Sequence, residues 1–149
     1  MAVATDNQQL RSSVKVTQYD FDPDATTATE IAWVDMRDFD AILISFFRTI
    51  GTGATTLSVV ANSSSTGGGT DVTVKTKVLT SAEPNAVGDY TFIEVTAEEI
   101  NQAAVDAGVA DVRYVTAVVS VATGTDEGVV TYIRRGKHQK LDLTADNIA

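Results

Sequence analysis

The sequence predicts a mainly β protein: a jelly-roll-like antiparallel β-sandwich with one short helix and extended termini. Three observations carry this reading. Short runs rich in Val and Thr alternate between apolar and polar residues, the period of half-buried strands. Turns built from Gly, Ser, Thr and Asp separate those runs. Only one stretch, residues 96–108, carries helix signals at both ends. Many short strands with polar turns between them form sandwiches or jelly rolls rather than α/β folds.

The elements follow in order. Residues 1–13 read as a polar N-terminal arm, 14–140 as the sandwich domain and 141–149 as a C-terminal tail. The run 14–21, VKVTQYDF, alternates weakly and opens the strands; 29–34, TEIAWV, gives the next. The connector 34–40 is rich in Asp. In 41–49, AILISFFRT, both alternating faces are mostly apolar, which predicts a central strand covered on both sides. Strand 55–62 leads into SSSTGGGT at 63–70, read as a flexible loop. In 71–79, Val72, Val74 and Val78 are expected inward, with Thr73, Lys75 and Lys77 outward. After the loop 81–89 comes strand 90–95. The helix 96–108 begins at a capping box of Thr96 and Glu99 and ends at Gly108. Strands 112–122 and 129–135 flank the turn TGTDEG.

Composition bounds the function. A chain of 149 residues is one domain's worth, and 44% hydrophobic residues with two prolines describe a folded chain. There is no cysteine, hence no disulfide and no thiolate nucleophile. The N-terminus shows no apolar core of a signal peptide, and no apolar run approaches the length that spans a membrane.

The net charge is −9, from 11 basic and 20 acidic residues. Arg134, Arg135, Lys137 and Lys140 gather in the segment YIRRGKHQK with the single histidine, His138. Without these four cations the body stands at −13, a charge that repels nucleic acid. The cluster reads either as a solvated strand end or as a docking patch for an acidic surface. Leu141, Leu143 and Ile148 in the tail are apolar where a monomer has no evident use for them. These eight residues are the protein-interface candidates.

Chemical motifs are few. STGGGTD at 65–71 lacks the Lys-Ser/Thr pair of a phosphate loop and precedes a strand. Asp20, Asp22 and Asp24 match the first ligand positions of a calcium loop, but Ala25 replaces its Gly and Ile31 its final Glu. An acidic turn is the plainer reading. His138 lies in a basic segment with no carboxylate motif to orient it. Trp33 and Phe39 read as packing aromatics before they read as a sugar platform. The expectation is no enzyme, no cofactor and no metal.

Two segments carry a resemblance. VDMRDFDAILISFFRTIGTGATTLSVVANSSSTGGGTDVTV, residues 34–74, and DVRYVTAVVSVATGTDEGVVTYIRRG, residues 111–136, resemble the small head-accessory proteins of tailed bacteriophages in their order of strand, Gly turn and closing hairpin. The helix at 96–108 has no counterpart in that pattern. The resemblance implies a capsid cement or decoration protein on the virion exterior, made in the host cytoplasm. Its partner would be the major capsid protein, and it would be a homo-oligomer with a trimer favoured. The alternative is a carbohydrate- or surface-binding β-module of a phage tail or fibre.

Overall fold

A computed structural model describes residues 14–23, 26–79 and 87–136. Nine strands and one helix appear among them: β1 (Val14–Phe21), β2 (Thr29–Glu30), β3 (Val34–Asp35), β4 (Phe39–Ile50), β5 (Thr55–Asn62), β6 (Val72–Leu79), β7 (Tyr90–Thr96), α1 (Ala97–Ala107), β8 (Tyr114–Val121) and β9 (Glu127–Gly136). All strand pairs are antiparallel, and they are nested. β1 pairs with β9, β2 and β3 with β8, β4 with β7, and β5 with β6. The chain is thus one long hairpin rolled on itself. Lateral pairing of β9 with β4 and of β8 with β5 then makes two sheets, β1-β9-β4-β7 and β2-β8-β5-β6, with β3 also on β8. This is jelly-roll topology, and the sandwich expected from the alternation is the fold observed.

The core lies between the sheets. Ile42, Ile44, Phe46, Val130 and Tyr132 come from the first, and Leu57, Val59, Val115, Ala117 and Val119 from the second. Each of the Val, Leu, Ile and Phe side chains among them contributes roughly 1.5–3 kcal/mol on burial. Tyr132 ties the layers together: its hydroxyl accepts from the Ala117 amide at 2.8 Å and donates to the Ala32 carbonyl at 3.1 Å. Burial raises its pKa, against the pull of those bonds. The helix starts at the capping box read from the sequence. Glu99 N–H donates to Thr96 Oγ1 at 3.2 Å, and Thr96 N–H donates to Glu99 Oε2 at 2.8 Å.

The structure corrects four expectations. The strand from 41 to 49 was expected to be covered on both faces. β4 buries Ala41, Ile42, Ile44, Phe46 and Arg48, but leaves Phe47 exposed and Leu43 only half-buried. It is central within its sheet and covered on one side.

In β6 the alternation changes phase. A bulge opposite Val59 and Val60 absorbs Val74, so Lys75 pairs with Val59 and Lys77 with Leu57, on the side facing the other sheet. Val78 is therefore exposed, not buried. Lys75 reaches across the open edge of the sandwich to the Glu94 carbonyl at 3.2 Å and to Glu99 Oε1 at 3.1 Å.

The loop at 63–70 is a built turn, not a free linker. Asn62, fully buried, accepts from Ser64 N–H at 2.7 Å and donates to Asp71 Oδ1 at 2.6 Å. Gly67 has φ +69°, and a Cβ there would stand 2.9 Å from Trp33 Nε1. The fourth correction concerns Arg134 and is taken up next.

Candidate functional site

The two outer sheet faces differ in chemistry. The outer face of β8-β5-β6 mixes Ser58, Thr73, Thr76 and Ser120 with Val60, Val78 and Val118, and has a Ser58–Thr76 hydroxyl pair at 3.0 Å. The outer face of β1-β9-β4-β7 is built otherwise. The register sets Val16, Ile133 and Leu43 in one row, with Glu94 beyond them on β7. Two rows along, Val129, Phe47 and Tyr90 stand side by side, and Phe92 follows Tyr90 on the same face of β7. Val16 is 56% exposed, Phe47 43%, Tyr90 69% and Phe92 50%. At roughly 150–250 Å² per aromatic side chain, the three rings alone leave about 300 Å² of aromatic surface in water. That matches the largest apolar patch of a whole monomeric protein, which is often functional.

Alternation produces this face directly. β4 is apolar at both parities, so one set of side chains fills the core and the other is left over. Its partners on β7 and β9 repeat the pattern with Tyr90 and Phe92, and with Val129 and Ile133. Lys77 sits 5.5 Å from the Phe92 ring centre and borders the patch on the β6 side. Sequence reasoning missed the face because it assigned the second apolar parity of β4 to a second covering layer. The signal was present in the doubled alternation, but the number of layers is not written in it.

The basic cluster resolves differently for each member. Arg134 and Arg135 are both within β9 and point to opposite faces. Arg134 is not a solvated end charge. It is 5% exposed, its Nη1 donates to the Asp35 carbonyl at 3.0 Å, and its guanidinium lies 4.6 Å from the Phe39 ring centre. Burial lowers its pKa, while Tyr19 and Asp35 act the other way. Arg135 is on the outer face and pairs with Asp40 at 2.9 Å. Lys137, His138, Lys140, Leu141, Leu143 and Ile148 lie outside the described residues.

Around Arg134 a polar end-cluster forms that no sequence signal announced. Asp35 Oδ2 meets Arg113 Nη2 at 2.7 Å, and that nitrogen also donates to Tyr114 Oη at 2.8 Å. Desolvation raises the Asp35 pKa. The Arg37 amide and the Arg113 guanidinium outweigh it, so the net shift is downward. At another place Arg48, 3% exposed, forms an ion pair with the buried Asp126 at 3.3 Å and donates to the Gly53 carbonyl at 2.9 Å. The Arg48–Asp126 pair is buried, whereas the Asp35 and Arg113 side chains, 40% and 38% exposed, meet at the surface.

Trp33 donates to Glu30 Oε2 at 3.0 Å and packs on Gly67, and Phe39 carries Arg134. Their surfaces are used within the protein. Asp20 lies in β1 opposite Val129, Asp22 is exposed, and Asp24 lies outside the described residues. Among the described residues no three His, Cys, Asp or Glu side chains gather as a metal site. No helix among them is long and apolar enough to cross a membrane.

No protein-family model and no curated protein matches the sequence. A solved structure does share the architecture. A protein of the Bacillus endospore appendages, described as disulfide-linked pili, aligns over 83% of this chain and 86% of its own, with 18% identity and a TM-score of 0.51. The SPBc2 prophage-derived protein YomS aligns over 81% and 94%, with 12% identity and a TM-score of 0.43. The likeness to the appendage protein, at 18% identity, is one of fold. A chain without cysteine forms no disulfide link of the appendage kind.

Proposed function

We propose that this chain is a structural virion protein, a cement or decoration protein that binds the major capsid protein on the capsid exterior. It works through protein–protein contact, as a homo-oligomer with a trimer favoured, and has no catalytic role. The single observation that supports this reading is the outer face of the β1-β9-β4-β7 sheet, where Val16, Phe47, Tyr90 and Phe92 stand in solvent. Aromatic anchors surrounded by polar residues are the usual core of a protein interface. Binding of labelled protein to purified heads, followed by pelleting, tests the reading. Saturable co-sedimentation supports it, and a protein that stays in the supernatant at micromolar concentration overturns it. Mass measurement in solution tests the trimer.

The exposed ring trio also favours a second reading, a carbohydrate- or surface-binding module of a tail or fibre, since sugars stack on aromatic faces. A glycan array separates the two: a cement protein binds no sugar.

A further inference from the structure

The strand register lays the outer face of the β1-β9-β4-β7 sheet out as a grid. One row runs Asp20, Val129, Phe47, Tyr90. The next runs Gln18, Thr131, Ser45, Phe92, and the third Val16, Ile133, Leu43, Glu94. Strands stand about 4.8 Å apart, and same-face neighbours along a strand about 6.8 Å. Asp20 therefore closes the Phe47–Tyr90 row at its β1 end, and Glu94 follows Phe92 along β7. The two carboxylates occupy opposite corners of the apolar face, about 20 Å apart, and Tyr90 holds a third corner.

Both carboxylates are exposed, and among the described residues neither side chain forms an ion pair or a hydrogen bond. The cations of these four strands do not neutralise them. Arg48 and Arg134 are buried, and Lys15 stands opposite Arg134 on the other parity of β1. Arg135 shares the outer face and attracts Glu94 through space, but its hydrogen bond goes to Asp40 at 2.9 Å. Lys77 of the neighbouring sheet lies over the Phe92 ring. Among the described residues no cation lies over the Phe47 or Tyr90 ring.

This pattern limits what can cover the face. A neutral surface would take water from two carboxylates and give them no counter-charge, which costs free energy. A second copy would bring the same two carboxylates and the same net charge of −9, so like would meet like. A basic surface answers both features at once. Its cations pair with the carboxylates, and Arg or Lys side chains also stack on open aromatic rings. The charge of −9 then speeds the encounter.

We propose that this face recognises a basic, apolar patch on its partner, with Arg or Lys side chains set around aliphatic ones. The partner's cations meet Asp20, Glu94 and the open rings of Phe47 and Tyr90, and its aliphatic side chains cover Val129, Ile133 and Leu43. Asp20 and Glu94 select the partner, while the rings supply contact area. The proposal rests on the reading of this face as the docking surface and adds the chemistry that the surface selects.

Co-sedimentation with purified heads is the test, run at about 50 and about 300 mM salt because salt screens exposed charges. Asp20→Lys/Glu94→Lys is compared with Asp38→Lys/Asp106→Lys, which makes the same change of charge at exposed positions outside this face. The first pair is expected to bind about tenfold or more weakly, the second to stay within about threefold of wild type, and wild-type binding to weaken with salt. Thermal unfolding checks each fold. Asp20→Asn/Glu94→Gln, which only removes the charges, serves if the reversed pair does not fold. Wild type that does not pellet overturns the capsid reading and the proposal with it. Wild type that pellets beside a folded Asp20→Lys/Glu94→Lys that pellets equally well overturns the proposal alone. Equal loss from both pairs also overturns it, because net charge and not these two positions then governs binding. Tighter binding by the reversed pair overturns it by assigning an acidic partner.

Discussion

Replacing Arg134 by Ala is expected to destabilise the sandwich by about 2 kcal/mol, while Arg135→Ala costs less than about 1 kcal/mol. The two residues are neighbours with the same charge, so the contrast isolates burial. Arg134 Nη1 donates to the Asp35 carbonyl at 3.0 Å, and a charge-assisted bond of this kind is worth roughly 1.5–3 kcal/mol. Its guanidinium lies 4.6 Å from the Phe39 ring centre, which adds roughly 0.5–2 kcal/mol. Against these stands Nε, buried without a partner among the described residues, whose removal returns roughly 1–3 kcal/mol. The balance is a loss of about 2 kcal/mol, or a fall in Tm of about 4–8 °C for a chain of this length.

Arg135 and Asp40 are 54% and 31% exposed, and such a pair contributes little in water. The assay is thermal unfolding followed by circular dichroism, with urea titrations to show that the m-value is unchanged. Arg134→Met, which keeps the aliphatic stem over Phe39 and drops the charge, is expected between wild type and Arg134→Ala. An Arg134→Ala melting curve within about 1 °C of wild type would refute the reasoning, as would an equal loss from Arg135→Ala.

Three further outcomes follow from the same geometry. Gly67→Ala is expected to cost about 1–3 kcal/mol through its φ of +69° and its contact with Trp33, whereas Gly68→Ala, where a Cβ meets only Ser64 Oγ at 3.6 Å and Thr66 Oγ1 at 3.7 Å, stays within about 0.5 kcal/mol; paired Tm measurements decide. Asp126→Ala leaves Arg48 buried without its counter-ion and is expected to cost about 3–5 kcal/mol, read as the midpoint of urea unfolding. The carboxyls of Asp35 and Glu99 are both depressed in the folded state, Asp35 because Arg37 and Arg113 outweigh desolvation, Glu99 chiefly by the Thr96 amide and then by Lys75. A depressed pKa gives stability that is present above the ordinary values of 3.8 and 4.5 and lost as pH falls through the folded ones. Tm should therefore hold from neutral pH to about 5 and fall below that, and Asp35→Asn should flatten part of the acid slope.

The architecture was legible because its signals are local and repeated. Alternation marked the strands, and the Thr96–Glu99 box and Gly108 marked the helix within a residue at each end. What escaped the sequence depends on distant partners. Nothing near Val74 announces the bulge that turns Lys75 and Lys77 toward the facing sheet and exposes Val78, because the bulge belongs to the pairing with β5. Arg134 and Arg135 look alike in a basic run. Only the strand register shows that one points at Phe39 and the other at solvent. The glycines of 65–71 look like a linker until Trp33, over 30 residues earlier, is seen packed on Gly67. The candidate face was half legible: the apolar parity of Leu43 and Phe47 was noticed, but a covering layer was assigned to it that the fold does not supply.

The central claim is that the outer face of the β1-β9-β4-β7 sheet is the surface through which this protein binds its partner. The most direct measurement is co-sedimentation with purified heads, comparing wild type with Tyr90→Glu/Phe92→Glu. Both side chains are half or more exposed, so the variant is expected to keep its fold, with thermal unfolding as the check. The account expects wild type to pellet with the heads and the variant to remain in the supernatant, its affinity lowered by about a hundredfold for the loss of two aromatic anchors. Equal pelleting of a folded variant, or no binding by wild type, would contradict it.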